Sequence, residues 1–225
     1  MRISVIIPAL DEAEQIASAL ASASGPAVAE VIVVDGGSAD ATPAIASQAG
    51  ANVVSAPRGR AAQMNAGAAR ASGDVLLFLH ADTRLPSGFD TAVLGALRDP
   101  GVVGGRFDVK LEPATALLRV VAAMMNLRSR WSGIATGDQA LFARRSTFEA
   151  MGGFERIPLM EDVAFTRALK RRGRVACLRE RVSTSSRRWR EDGPIRTILL
   201  MWRLRWLYWR GVAPEVLKGR YADTR

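Results

Sequence analysis

The chain has 225 residues, 48% of them apolar, which is enough for one sizeable core and too little for a second full domain. A single cysteine, Cys177 in the strand-like RVACL, excludes an internal disulfide framework and suits a reducing cytoplasm. The net charge of +9 is uneven: residues 1–155 are near neutral and residues 156–225 carry +11. Such a tail suits anionic lipid, nucleic acid or an anionic substrate, or is simply a solvated arginine-rich face.

From the amino terminus, Ile3–Ile7 and Val31–Val34 are continuous β-branched runs, the pattern of strands covered on both faces. Ile3–Ile7 is too short for a signal-peptide core, and no apolar run is long enough to span a bilayer, so a soluble or peripherally bound protein is expected. Asp11 and Glu14 form a capping-box pattern ahead of a helix to about Ala21. Thr42-Pro43 starts the next helix. Val53–Ser55 is a short strand, Ala61–Ser72 a helix stopped by Gly73, and Val75–Leu79 a fourth strand. This alternation implies a mostly parallel sheet with right-handed crossovers. A helix from about Ser87 to Leu97, a strand Val102–Leu111 and an apolar helix Ala114–Leu127 follow. Ala140–Ala143 and Val175–Leu178 read as strands, with a helix from about Asp162 to Arg171 between them.

The ends of these strands carry the chemistry. Val75–Leu79 runs into His80-Ala81-Asp82, at the carboxyl edge where open α/β sheets bind ligands. A carboxylate there can hold a divalent cation against a diphosphate; the plainer alternative is a cap for the following helix. His80, the sole histidine, can ligate Mn²⁺ through its neutral imidazole or donate a hydrogen bond. Pro8, Leu10 and Glu12 occupy the first strand-to-helix turn. Asp35 ends the second strand beside Gly36 and Gly37, which let backbone approach a ligand; the alternative for Asp35 is a turn cap with Ser38. Arg58 and Arg60 flank a helix amino terminus, a phosphate-favouring arrangement. Glu161 and Asp162 open a helix whose dipole favours them.

In order and spacing, VIIPALDE, VVDGGSAD, RGRAAQMNAGA, FLHADT, GGF and MEDVAFTRAL resemble family 2 glycosyltransferases, inverting enzymes of the GT-A fold. HADT, NLRSRWSGIATGDQALF and IPLMED look closer to the bacterial subgroup named as radical-SAM/selenodomain-associated transferases. The resemblance covers Ile3 to about Leu178. It implies an α/β GT-A fold, a nucleoside-diphosphate sugar donor (a UDP-sugar first) and a divalent cation, Mn²⁺ or Mg²⁺. It implies that Asp162 is the general base, with Glu161 orienting it or the acceptor. Asp35 then meets the uracil or ribose edge, Asn65 lies near the nucleotide, and Asp138 contacts sugar hydroxyls. Asp82 stands for the second acid of an Asp-x-Asp pair, with His80 replacing the first, so Asp82 and His80 are the expected metal ligands. The acceptor is not named by any motif.

Residues 1–190 are expected to form the transferase domain and 191–225 a basic extension. Within it, Pro194–Gly211 reads as a helix. Ile195, Ile198, Leu199, Trp202, Trp206 and Trp209 share one face, and Arg196, Arg203 and Arg210 run along its edge. That pattern fits an anionic membrane surface, placing the protein in the cytoplasm or on the inner face of the membrane. Packing in the protein's own groove or a homodimer contact are the other readings. A sugar nucleotidyltransferase is disfavoured because PALDE lacks a glycine-rich basic loop, and a dinucleotide oxidoreductase because no G-x-G-x-x-G follows a strand. No nucleic-acid motif is visible, so no nucleic-acid partner is expected. A transferase-shaped protein that has lost activity stays open because of His80.

Overall fold

A computed structural model describes residues 1–219 and Tyr221. Its centre is a mixed eight-stranded sheet. The strands are β1 (Ile3–Ala9), β2 (Val28–Asp35), β3 (Asn52–Ser55), β4 (Val75–Phe78), β5 (Thr83–Arg84), β6 (Val102–Glu112), β7 (Leu141–Arg144) and β8 (Arg174–Ser185), in the order β3-β2-β1-β4-β7-β6-β8-β5. The half from β3 to β4 is parallel. The short β7 then pairs antiparallel with both β4 and β6, and β8 runs parallel to β6. Every residue of β1 and β4 is buried, as their unbroken apolar runs require of strands covered on both faces.

Helices α1 (Ile16–Ser22), α2 (Thr42–Gln48), α3 (Arg60–Arg70), α4 (Phe89–Ala96), α5 (Ala116–Ser132), α6 (Arg145–Ala150) and α7 (Glu161–Lys170) flank the sheet. One core holds Val5, Ile7, Leu77, Phe89, Phe107 and Phe142; a second holds Ile6, Ile32, Leu76, Phe78, Phe154 and Phe165. Within the second, Phe154 stacks on Phe165 at 4.3 Å between ring centroids, and Phe78 meets Phe154 edge-on at 4.8 Å. Phe165 thereby fixes α7, the helix that begins with the two candidate acids. After β8 come α8 (Arg187–Glu191), α9 (Pro194–Trp209) and α10 (Pro214–Lys218). Leu204 and Leu217 are fully buried and pack with Leu159 and Met160, so this extension closes over the loop leading to α7.

The fold is the α/β arrangement expected, with several boundaries moved. The capping box at Asp11 does not form. Asp11 instead takes φ +53° and its carboxylate accepts from Ala39 N at 2.8 Å, tying the first turn to the loop after β2; α1 starts five residues later. Strand β8 is three times the expected length because its polar end, Arg179 to Ser185, pairs with β6 and β5 rather than ending in a loop. Helix α5 extends to Ser132, where Gly133 at φ +66° closes it. Cys177 is only half-buried.

Candidate active site

The carboxyl edges of β1 and β4, the turn before β7, the start of α7 and the helices α5, α8 and α9 enclose a cleft of about 390 Å³. Glu12, His80 and Asp82 come from the sheet edge. Asp138 comes from a 3-10 turn, Gly137–Gln139, and Glu161 and Asp162 from the first turn of α7. Arg60 lies beside them at the start of α3.

The turn before β7 organises these groups. His80 Nδ1 lies 3.3 Å from Asp138 Oδ1, and a Cβ on Gly137 would fall 2.3 Å from His80 Nε2, so the imidazole fits only because residue 137 is glycine. Gly137 N also donates to Asp162 Oδ2 at 2.8 Å, while Val163 N donates to Asp162 Oδ1 at 2.7 Å. The turn therefore orients both an imidazole and a carboxylate. Its own geometry is held by Gln139, a buried residue whose side-chain amide donates to Ser129 Oγ at 3.0 Å on α5. Among the described residues, the non-glycine residues with positive φ are Asp11, Ala140 and Met160, and each adjoins a cleft residue or the turn that bears one. Strained backbone at a ligand site is a recurring sign of pre-organisation.

Electrostatics separate the carboxyls. Burial, reinforced by the Asp162 charge, pushes Glu161 above the ordinary glutamate value. Enclosure also pushes Asp138 up, but the His80 hydrogen bond and charge, with Arg60 and Arg205, outweigh it and bring it below the usual range. Two arginines absent from the sequence expectation line the cleft, Arg128 on α5 and Arg205 on α9. Burial, then Arg205, lowers the Arg128 guanidinium to about 10, and burial lowers that of Arg205. The Nε and Nη2 atoms of Arg128 are buried with no hydrogen-bond partner among the described residues. Cations so placed favour an anion between them. Nothing local in either helix marks these arginines as inward-facing; the absence of any acid within α5 or α9 was the one available signal.

Other expected residues lie elsewhere. Pro8 and Leu10 are buried in the core edge. Both Asp35 oxygens are engaged by the following turn, accepting from Gly37 N at 3.0 Å and Ser38 Oγ at 2.5 Å, which is the turn-cap alternative. Gly36 makes room for Gln63: a Cβ there would stand 3.0 Å from Gln63 Nε2, which donates to Ala9 O and Val34 O at 2.8 Å each. Asn65 is a clamp. Its amide accepts from Phe154 N at 2.9 Å and donates to Phe154 O at 2.8 Å, away from the cleft. Arg58 lines an adjoining hollow at the amino terminus of α3, which shares Arg60 and Glu161 with the cleft.

A divalent cation can be tested against these donors. Among the described residues no three His, Cys, Asp or Glu side chains form a cage. A cation bound together with a diphosphate needs only one or two protein ligands, the rest being phosphate oxygens and water. Asp82, which lines the cleft together with His80, meets that requirement.

A mostly parallel sheet with acids and arginines gathered at its carboxyl edge defines an α/β transferase of the GT-A class. The sequence model described as glycosyl transferase family 2 matches residues 4–150, well over half of the chain, and the chain belongs to that family. The protein is a glycosyltransferase. Among solved structures it is similar to glucosyl-3-phosphoglycerate synthase from Mycobacterium tuberculosis in complex with Mn²⁺, UDP-glucose and phosphoglyceric acid. That match has 22% identity and a TM-score of 0.63, over 80% of this chain and 70% of that one. The same synthase with Mg²⁺ and UDP gives 22% and 0.60, over 81% and 70%. TarS residues 1–349 from S. aureus give 18% and 0.64, over 83% of this chain and 61% of that one. These likenesses establish the fold. No curated protein sequence matches the chain.

Proposed function

We propose that the protein transfers a sugar with inversion from a UDP-sugar to an acceptor hydroxyl lying against Asp162. The observation that carries this reading is the meeting of Asp82, His80 and Asp138 with Glu161 and Asp162 in one cleft. An inverting transfer needs a carboxylate on the acceptor side and positive charge on the departing diphosphate's side. Asp162 takes the hydroxyl proton as the acceptor oxygen bonds to the anomeric carbon and the bond to the diphosphate breaks. Hydrogen bonds from Gly137 and Val163 hold it in place for that step. Asp82, with His80, would hold Mn²⁺ or Mg²⁺, which would supply positive charge to neutralise the diphosphate. Arg60, Arg128 and Arg205 add to that neutralisation, and Asp138 orients His80 and the sugar. Glu12, with Asp35 behind it, borders the nucleotide side, and Arg58 guards the amino terminus of α3.

The metals and UDP present in the synthase complexes support the choice of donor and cation. The motifs HADT and IPLMED support membership of the radical-SAM/selenodomain-associated subgroup. Residues 191–225 act as an extension of the 1–190 domain, of which 220 and 222–225 lie outside the described residues. A second reading makes Glu161 the base, favoured by burial and the Asp162 charge raising its pKa.

The test is thermal shift with UDP, GDP, dTDP and CDP, each with and without Mn²⁺, since a ligand that binds only the folded state raises Tm. UDP with Mn²⁺ should give the largest shift, and Asp82→Ala should remove the part that depends on Mn²⁺. An undiminished Mn²⁺ effect in that variant would end the metal role of Asp82.

A further inference from the structure

The cleft's far end opens on the most apolar surface of the molecule. Of the twelve large apolar side chains exposed among the described residues, ten lie on two helices. Helix α5 exposes Leu117, Val120, Met124, Leu127 and Trp131, the last 95% accessible. Helix α9 exposes Ile195, Leu199, Trp202, Trp206 and Trp209. On each helix these positions recur every three or four residues, so each set is one continuous stripe. Neither stripe is the face used for folding: α5 packs through Leu118, Val121 and Ala122, and α9 through Thr197 and Leu204. Met125 of α5 and Ile198 of α9 pack against the same small core.

Charge says what covers the stripes. Neither helix contains an acidic residue, while Arg119, Arg196 and Arg203 stand exposed on them and Arg210 follows. The Arg210 guanidinium lies over the Trp206 ring, 5.2 Å from its centroid, as a cation and an aromatic at one interfacial depth would. A second copy of the chain is a poor occupant. A two-fold contact sets a patch against itself, and here it would bring arginines together with no carboxylate between them. An anionic bilayer satisfies the apolar stripes and the arginines at once.

The stripes and the cleft share residues. Met124 and Trp202 belong to both, and Val121, Met125, Ile198 and Met201 continue the apolar wall inward toward the acids. We propose that α5 and α9 form one platform that seats on an anionic bilayer, and that the acceptor is an amphiphile with its tail in that bilayer and its polar head in the cleft. The acceptor class rests on the transfer activity proposed above, whereas the docking does not.

Sedimentation of the full chain with phosphatidylcholine vesicles, with and without phosphatidylglycerol, tests the docking. The protein should pellet with the anionic vesicles and be released by high salt. Leu127→Ser with Trp131→Ser, and separately Trp206→Ser with Trp209→Ser, should each weaken binding about tenfold or more. Both variants should keep the wild-type circular dichroism and the Tm shift given by UDP with Mn²⁺. Wild-type protein left in the supernatant, or an α5 variant that pellets like wild type, would overturn the platform. So would a vesicle-free dimer, seen by sedimentation equilibrium, that either pair of substitutions dissolves. For the acceptor class, dodecyl phosphate below its aggregation threshold should raise the Tm of the Trp206/Trp209 variant, whose cleft is unaltered, more than methyl phosphate does. Equal shifts would reject the amphiphile while leaving the docking intact. Loss of the UDP shift alone would reject the transfer reading and not the docking.

Discussion

Asp162 and Glu161 are neighbours in sequence with opposite surroundings. Asp162 accepts two backbone N–H bonds, whereas Glu161 is buried beside that charge. Asp162→Asn keeps the shape and removes the proton acceptor. Turnover should fall about 10²–10⁴-fold with donor affinity little changed, read by steady-state kinetics and UDP titration. A larger loss for Glu161→Gln than for Asp162→Asn would instead assign the base to Glu161. The same residue also has a stability signature. Because its folded pKa is raised, the folded protein holds that proton more tightly than the unfolded chain does. The resulting stabilisation is complete below the ordinary value of 4.5 and is lost as pH rises through the raised value. Glu161→Gln, neutral throughout, should therefore raise Tm near pH 7, by about 2–4 °C for each kcal/mol relieved, and give no gain near pH 4. The gathering of Glu12, Arg60, His80, Asp82, Asp138, Glu161 and Asp162 was legible from motifs at strand ends and helix starts. The partners of Asp35, Gly36 and Asn65 were not legible, because groups in the next turn or distant in sequence meet their polar atoms or the space beside them. Asn65 and Phe154 lie 89 residues apart.

At the scale of elements, α5 is joined to β6 by polar groups as well as by Leu118, Val121 and Ala122 packed on Leu111. Asn126 imitates a strand, accepting from Val109 N at 2.8 Å and donating to Val109 O at 3.0 Å. Asp108 takes Arg130 of α5 at 2.7 Å on one oxygen and Arg106, only 1% exposed, on the other. Removing one partner of such a buried pair leaves an uncompensated charge. Asp108→Asn should accordingly cost about 3–5 kcal/mol in urea unfolding. The same substitution should loosen α5 against β6 in hydrogen exchange. These contacts explain what the apolar pattern obscured. Ala114–Leu127 read only as an apolar helix, and its pattern gave no sign that Asn126, Ser129 and Arg130 help to fix it. The polar half of β8 was unreadable for the converse reason: its Arg, Glu, Ser and Thr residues are held by pairing with β6 and β5, a non-local gain that local propensity does not record.

For the whole molecule, the parallel half of the sheet was readable because its strands are short, unbroken and separated by helical periods. The antiparallel insertion of β7 between β4 and β6 was not, since four residues carry no directional signal. That insertion and the closing helices have a consequence in time. Asp82 is made early, but the turn bearing Asp138 follows some way behind it, α7 later still, and the wall bearing Arg205 near the end of the chain. At about 5–20 residues per second, the ribosome needs roughly 6–25 s to travel from Asp82 to Arg205. A nascent chain in that interval carries His80 and Asp82 but not yet every residue of the facing wall. It is a half-built site, silent until translation has delivered the helix that also carries the tryptophans.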